Sequence, residues 1–322
     1  MTVADQDVPG PAPTVSVLIP AYNVADYLDK SVGSALAQDV EVEVVIVDDC
    51  STDGGATAAA IRRLEADSRV RGFRLPVNGG PSAARNKGIE EARGKWIALL
   101  DADDWFAPGR LSYLLKVAEA AGADVVSDDQ FLIREGDDKP WITIYEIAGW
   151  EQAEEGRPIS AVEMCRRDWI LKAMLRTDWV RAHGLRFHTV RNWAGEDFEF
   201  YMNAILSGAR WVAAREARYF YRSRPGQLTG ERGIAEGIIE SLEAMANDPR
   251  ISGNPELAGA MSERIGRVRT SQWLGFFADS VRSRRWLRAA AMILRSPTHL
   301  ADVASAIRRR LKVQRRWKES GA

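Results

Sequence analysis

Asp101-Ala102-Asp103-Asp104 places three carboxylates within four residues, directly behind the apolar run that ends at Leu100. Their mutual repulsion has to be offset by a cation or by hydrogen bonds. Hard oxygen ligands of this kind suit Mg²⁺ or Mn²⁺, and Mg²⁺ completes its shell from substrate phosphates. The alternative is a solvated acidic loop in which Asp104 caps the next helix. A D-x-D tripeptide alone does not decide between them. A second polar run, Asp48-Asp49-Cys50-Ser51-Thr52-Asp53, follows the apolar stretch Val42 to Val47. A carboxylate in that place can accept hydrogen bonds from a nucleobase or a ribose, while Ser51 or Asp53 can equally cap a helix. Asn78-Gly79-Gly80-Pro81-Ser82 leads into Ala83-Ala84-Arg85-Asn86. Such a turn lets a ligand approach the backbone and puts Arg85 near the start of a helix; a plain loop with a surface arginine would read the same way.

These residues need a scaffold, and the pattern supplies one. Val15 to Pro20, Val42 to Val47, Val70 to Leu75, Lys95 to Leu100 and Asp124 to Ser127 read as short buried strands, the first stopped by Pro20. Helical patterns lie between them at Tyr27 to Ala37, Ala56 to Ala66, Ser82 to Ala92 and Leu111 to Ala121. Strands alternating with helices imply an α/β fold with a mostly parallel central sheet flanked by helices, and ligands of such sheets bind at the carboxyl ends of the strands. The two acidic runs stand at two of those ends. Residues 128–160 read as irregular, and the chain beyond about Gly230 as helical throughout. No G-x-G-x-x-G follows the first strand and no G-x-x-x-x-G-K-[ST] occurs, which argues against a dinucleotide dehydrogenase and a P-loop ATPase.

The 322 residues carry 44 Lys+Arg and 45 Asp+Glu, a net charge of -1 that hides a split. From Glu263 onward there are 15 basic and 4 acidic residues, leaving 29 and 41 before it. An acidic body with a basic tail points to an anionic partner for the tail. Two cysteines make no disulfide framework. Residues 1–13 read as a disordered leader with no signal-peptide character. The late apolar run Ala289 to Leu294, between Arg288 and Arg295, is far short of the roughly 20 residues of a membrane span. A cytoplasmic protein is expected, at most lying on a membrane surface.

Taken in order, Val17-Leu18-Ile19-Pro20-Ala21-Tyr22-Asn23, Val45-Ile46-Val47-Asp48-Asp49-Cys50-Ser51-Thr52-Asp53, Asn78-Gly79-Gly80 with Ala84-Arg85-Asn86-Lys87-Gly88, and Leu99-Leu100-Asp101-Ala102-Asp103-Asp104 resemble the family 2, GT-A-type glycosyltransferases. The resemblance covers roughly residues 14–230. It implies a nucleotide-sugar half at 14–127, an acceptor half at 128–230 and a helical basic extension at 231–322. Cys50 stands where the family usually has Gly or Asn, a departure from which no consequence is expected. The resemblance further implies a UDP-sugar donor, Mn²⁺ or Mg²⁺, and inversion at the anomeric carbon. Ala21 and Tyr22 would line the nucleoside pocket, Asp49 would hold the uracil edge, Asp101 would contact the ribose side and Asp103 would bind the metal on the diphosphate, with Arg85 in the same nucleotide-sugar site.

Inversion by single displacement needs a base for the acceptor hydroxyl. Glu196-Asp197 follows Gly195 and opens an aromatic helix, matching the family's E-D motif. Asp197 is then the predicted base, with Glu196 assisting or binding the acceptor. The plainer alternative is an acidic pair favoured by the helix dipole. Tyr219-Phe220-Tyr221-Arg222 and Gln227-Leu228-Thr229 match a late segment of the family, which would set Arg222 on the diphosphate or on a closing lid. Trp169, Trp179, Trp193 and Trp211 read mostly as core, with Trp193 also able to stack on a sugar. His183 and His188 lack metal-ligand spacing with cysteine and read as loop or packing residues. Ala123 to Asp129, Gly195 to Asp197 and Tyr221 to Gly226 further resemble succinoglycan-type exopolysaccharide glucosyltransferases, which extend a lipid-linked saccharide.

Leu300, Val303, Ala304, Ile307 and Leu311 recur at helical spacing, with Arg308, Arg309, Arg310, Lys312, Arg315, Arg316, Lys318 and Trp317 crowded near the lower end. A basic amphipathic helix with Trp reads as peripheral membrane contact; a helix packed on the body or a solvated end fits the same pattern. Nucleic acid is disfavoured by the acidic body. The expected acceptor is a saccharide, in the narrower resemblance one carried on a polyprenyl diphosphate at the cytoplasmic membrane face. The rivals are a sugar nucleotidyltransferase, which would need a Gly-rich basic loop where Pro20-Ala21-Tyr22-Asn23 stands, and a non-catalytic nucleotide-sugar-binding protein on the same fold.

Overall fold

In the computed structural model, residues 13–137, 139–150, 154–167, 172–189, 195–223 and 234–296, with 299, 301–304 and 307, are described. The strands are β1 (Val15–Ala21), β2 (Val42–Asp48), β3 (Val70–Arg74), β4 (Trp96–Leu99), β5 (Trp105–Phe106), β6 (Val125–Ser127), β7 (Gln130–Arg134), β8 (Ile142–Thr143), β9 (Arg157–Pro158), β10 (Met174–Arg176), β11 (Trp211–Ala213) and β12 (Tyr219–Ser223). The helices are α1 (Ala25–Leu36), α2 (Ala56–Leu64), α3 (Gly80–Glu91), α4 (Arg110–Ala121), α5 (Ile144–Ala148), α6 (Ala161–Arg166), α7 (Thr177–Ala182), α8 (Glu196–Leu206), α9 (Ile234–Ala246), α10 (Pro249–Ser252), α11 (Pro255–Arg282) and α12 (Trp286–Arg295).

The main sheet has the order β3-β2-β1-β4-β10-β6-β11-β9. β1, β2, β3 and β4 pair in parallel, as the alternation of strands and helices implies. β10 runs antiparallel between β4 and β6, an insertion that no turn signal in the sequence announced. Successive side chains of a strand face opposite sides, so the apolar runs feed two cores. Leu18, Val45 and Val47 pack on one side with Ala84 and Ile89 of α3, Phe200 of α8 and Met261 of α11. Val17, Ile19, Val44 and Ile46 pack on the other with Leu28 of α1, Ile61 of α2 and Leu114 of α4. Both faces are covered, which is why these strands read as continuous apolar runs.

Two expectations need correction. Residues 128–160 are not irregular: β7 and β8 join β5 and β12 in a second sheet, β5-β12-β7-β8, where Phe220 stacks between Trp105 and Phe131 at ring distances of 5.3 and 5.4 Å. The basic stretch beginning at Arg264 is partly interior. Leu242, Leu257 and Met261 of α9 and α11 belong to the same core as Leu99. Arg264 is buried, donates to the Arg167 carbonyl at 2.9 Å and lies 3.9 Å from the Phe198 ring, while Arg267 donates to the Cys165 carbonyl. These two cations fasten α11 to the body. No helix among the described residues is long and apolar enough to cross a membrane. The leader, the boundary near 230, Trp169, Trp193, Gln227-Leu228-Thr229 and the cations from Arg308 to Lys318 lie outside the described residues.

Candidate active site

The carboxyl ends of β1, β2 and β4 adjoin one another through their parallel register. Asp49, just past β2, donates its backbone N–H to the Ala21 carbonyl at the end of β1, 2.8 Å away. Ala21 is buried; Tyr22 beyond it is exposed, its hydroxyl 3.5 Å from Thr52 Oγ1. Asn23 Oδ1 accepts from the Thr52 amide at 2.8 Å. Tyr22 and the Asp48–Asp53 run thus border the same strand-end surface.

Asp49 has a structural job beside any ligand. Its two carboxylate oxygens accept from the Gly79 and Gly80 amides at 2.8 and 2.7 Å. Burial pushes its carboxyl above the ordinary aspartate value, and the two amides offset only part of that. Gly79 is required there, since a Cβ would come within 2.6 Å of the Ala83 Cβ, and Gly80 has φ +78°, a region open to glycine without strain. The Asn78-Gly79-Gly80 turn is therefore set by Asp49, and α3 starts from it. Asp53 serves as a cap, as one reading of the run has it: its Oδ2 accepts from the Thr57 amide at 3.0 Å and the Thr57 hydroxyl at 2.6 Å. Ser51 does not cap α2; its hydroxyl accepts from the Asn23 amide at 3.0 Å. Cys50 has φ +59°. Gly and Asn adopt that conformation at lower cost than other L-residues, so the departure noted in the sequence does carry a consequence, a strained turn.

The three carboxylates of the Asp101–Asp104 run have separate fates. Asp104 is not a helix cap, contrary to the loop reading: α4 begins at Arg110 behind Gly109. Asp104 is buried, accepting from the Tyr219 hydroxyl at 2.7 Å and the Arg222 amide at 2.8 Å. Burial, then repulsion from Asp101 and Asp103, holds its carboxyl well above the ordinary value. It ties the end of β4 to β12. Arg222 follows from that contact. Its Nε donates to the Asp103 carbonyl at 2.8 Å, and its guanidinium lies 4.8 Å from the Trp105 ring and 5.3 Å from the Tyr27 ring. Arg222 is thus placed against the acidic turn. Asp103 itself is half-buried.

Asp101 joins the strand end to α8. Its Oδ1 receives Arg85 Nη2 at 3.1 Å and its Oδ2 lies 2.6 Å from Lys172 Nζ. The same two cations reach the E-D pair. Arg85 Nη1 is 2.9 Å from Asp197 Oδ1 and 3.4 Å from Glu196 Oε1, and Lys172 Nζ is 3.6 Å from Asp197 Oδ2. Burial pushes the Asp101 carboxyl up, but Lys172 and Arg85 together outweigh it and hold it far below the usual carboxylate range. Burial pulls the Lys172 ammonium down, and Asp101 and Asp197 outweigh it in turn, so it stays charged well above the ordinary lysine value. Arg85, pulled down by burial, is likewise held charged by Asp197, Asp101 and Glu196. Glu196 is raised, by burial first and by Asp197 second, against the pull of Arg85.

Local packing explains why these groups meet. α8 starts behind Gly195 at φ +89°, and an acidic first turn is favoured at a helix N-terminus. Phe200 on the next turn stacks parallel to Phe187 with centroids 3.9 Å apart. Phe187 also lies 5.3 Å below the Arg85 guanidinium, and its backbone exchanges two 2.8 Å hydrogen bonds with the Asn86 side chain. Tyr201 accepts from the Ala173 amide at 3.3 Å, which fixes Lys172 next door. Arg110, buried against Asp128, donates to the Lys172 carbonyl at 2.7 Å.

Lys172 is the residue that sequence reasoning missed. Its signal was a single cation inside the apolar run Trp169-Ile170-Leu171-Lys172-Ala173-Met174-Leu175, since a lysine is seldom fully buried unless paired. Of the expected site residues, Arg85, Asp101, Glu196 and Asp197 come together directly. Ala21, Tyr22 and Asp49 line the neighbouring strand ends. Asp103 and Arg222 stand at the turn after β4. His183 Nδ1 lies 2.9 Å from the Trp179 carbonyl and His188 3.8 Å from Glu199; Trp211 is core and Trp179 packs against it.

Residues 16–170 match the model of the glycosyl transferase family 2. The succinoglycan biosynthesis protein ExoO of Rhizobium meliloti is 32% identical over 308 residues, covering 93% of this chain and 86% of the relative. ExoU of the same organism, also named a succinoglycan biosynthesis protein, is 31% identical over 92% of this chain and 87% of its own length. Among solved structures, S. aureus TarS in complex with UDP-GlcNAc superposes with a TM-score of 0.64 at 20% identity, over 90% of this chain and 83% of that one. That likeness concerns the GT-A-like fold, with its α/β sheet and helical C-terminal part. With the strand-end carboxylates, the Asp49-held glycine turn and the E-D pair in one place, the chain belongs to glycosyl transferase family 2 and is a glycosyltransferase.

Proposed function

We propose that the protein moves a hexose from a UDP-sugar to a saccharide acceptor with inversion, in a metal-dependent reaction, and that it acts in exopolysaccharide or cell-surface glycan synthesis. The observation that carries this reading is the bridge of Arg85 and Lys172 between Asp101 and Asp197. It links a carboxylate behind β4 to the carboxylate expected to act as base. The names of ExoO and ExoU support the biosynthetic setting, and the UDP-GlcNAc complex of TarS supports a UDP-sugar donor.

In this reading Ala21 and Tyr22 border the nucleoside, and Asp49 meets the uracil edge with the lone pairs that Gly79 and Gly80 leave. Asp101 faces the ribose side. Arg85 and Lys172 keep it ionised and set two cations beside the place where the leaving diphosphate gathers negative charge. Among the described residues no cluster of three or more metal-ligating side chains occurs. Mg²⁺ commonly takes one or two carboxylates together with substrate phosphates. Asp103 is the carboxylate that the family resemblance assigns to Mn²⁺ or Mg²⁺, which when bound would neutralise charge on the departing diphosphate. Asp197 takes the proton of the acceptor hydroxyl as its oxygen bonds to the anomeric carbon and the bond to the diphosphate breaks. Glu196, raised by burial, binds the acceptor beside it.

The acceptor in this reading is carried on a polyprenyl diphosphate at the cytoplasmic membrane face, with the basic stretch at residues 300–318 contacting the membrane. The test is a screen of nucleotide sugars for turnover with and without Mn²⁺ or Mg²⁺, repeated with Asp103→Ala. Turnover of one UDP-sugar that depends on the ion and is lost in the variant is expected. Equal turnover in chelator, or none for any UDP-sugar, would overturn the reading.

A further inference from the structure

α12 exposes its apolar side. At about 100° per residue, Trp286, Ala290, Leu294 and Leu287 share a sector of about 100° on its surface. Leu287 is 89% exposed, Leu294 82% and Trp286 61%, whereas Ala289, outside that sector, is buried. Beside this stripe a groove of about 340 Å³ opens between α11 and α12, with Trp273, Phe276 and Met292 in its lining and Arg288 and Arg295 at its edge. Phe276 is itself 49% exposed. Arg284 and Arg285 occupy the turn between the helices, behind Arg282 at the end of α11, and from Ser280 through Ala301 the sequence has five arginines and no acidic residue. Among the described residues neither Arg288 nor Arg295 has a carboxylate partner.

We propose that this face of the α11–α12 hairpin docks on an anionic lipid bilayer, with the tryptophan and leucines entering the headgroup boundary and a lipid phosphate seated in the groove between Arg288 and Arg295. Large exposed apolar side chains ringed by arginine are the signature of an interfacial helix. A second copy of this chain is a poor occupant, because a symmetric contact would bring two sets of like charges together. The contrast with Arg264 and Arg267 supports the assignment: the arginines nearest the body are spent on it, and those further along face outward. The docking surface rests on the reading above only for its purpose, which is to hold the site near a lipid-linked acceptor.

The full chain is co-sedimented with vesicles of phosphatidylglycerol and phosphatidylethanolamine, and with vesicles of phosphatidylcholine alone. Binding to the anionic vesicles that weakens with salt is expected. Leu287→Asp with Leu294→Asp should lower the vesicle partition about tenfold for each leucine, and Arg288→Gln with Arg295→Gln about fivefold per charge removed. All of these positions are exposed, so thermal unfolding should not change, and metal-dependent UDP-sugar hydrolysis in solution should persist. Hydrolysis thereby reports separately on the proposed reaction. No binding by the parent chain, binding that the leucine pair leaves unchanged while a chain ending at residue 307 loses it, or a dimer that the leucine pair dissociates without any effect on vesicles would each overturn the docking surface.

Discussion

Asp49 and Asp101 stand immediately behind the strands that carry them, whereas Lys172 and Asp197 reach the same site from a short antiparallel strand and a later helix. In the strand–helix repeats of residues 14–127, chemistry is local. A buried parallel strand ends, and polar residues such as Asp49 stand at its carboxyl edge, held by the next turn along. In residues 128–223 chemistry is assembled across the chain. Lys172 is placed by Tyr201 and Arg110, and Asp197 by the stacking of Phe200 on Phe187. Asp49 depends on the adjoining glycine turn; Lys172 and Asp197 depend on packing between distant elements.

The sharpest test of that difference is Lys172→Met. It removes one of the two cations on Asp101, whose oxygen lies 2.6 Å from Lys172; Asp101 keeps Arg85 at 3.1 Å, so the cost should be about 2–3 kcal/mol. Asp53→Ala, which removes only the local cap on Thr57, should cost about 1 kcal/mol. Chemical denaturation of both variants checks this, and equal costs would erase the distinction between local and assembled groups.

The same distinction explains what could be read from the sequence. The parallel strands, the glycine turn, Asp49, Asp101, Arg85 and the E-D pair were legible because each lies within a few residues of a periodic element or a recognisable motif. β7 and β8 were not, because short strands of a small sheet are defined by their neighbours. Nor was the structural role of Asp104, whose partners Tyr219 and Arg222 are more than a hundred residues away. The basic tail was legible as charge but not as burial: Arg264 and Arg288 look alike in sequence, and only packing shows that one is interior and the other exposed.

Two smaller effects separate the regions further. Cys50 sits in a strained turn of the first region at φ +59°, so Cys50→Asn should raise stability by about 1 kcal/mol, measured as a shift in the denaturation midpoint. A destabilised variant would show that the thiol's contacts outweigh the strain. Cys165, in the second region, is buried, and burial pushes its thiol up to about 11 from an ordinary 9.0. Its folded value is raised, so the fold favours the protonated form. That small contribution is complete below pH 9 and is lost as pH rises through the folded value. Alkylation with iodoacetamide at pH 8, followed by mass spectrometry, should modify Cys50 and spare Cys165. Modification of both at similar rates would show that α6 opens readily.

The central claim is that Asp197, held by the cations that also hold Asp101, serves transfer rather than donor binding. Asp197→Asn keeps the shape and the contact with Arg85 while removing the proton acceptor. Calorimetric titration of the turned-over UDP-sugar and a transfer assay on the same sample test the claim directly. An unchanged dissociation constant with transfer reduced by about 10²-fold or more is the expected result, and a variant that transfers at the parent rate would contradict it.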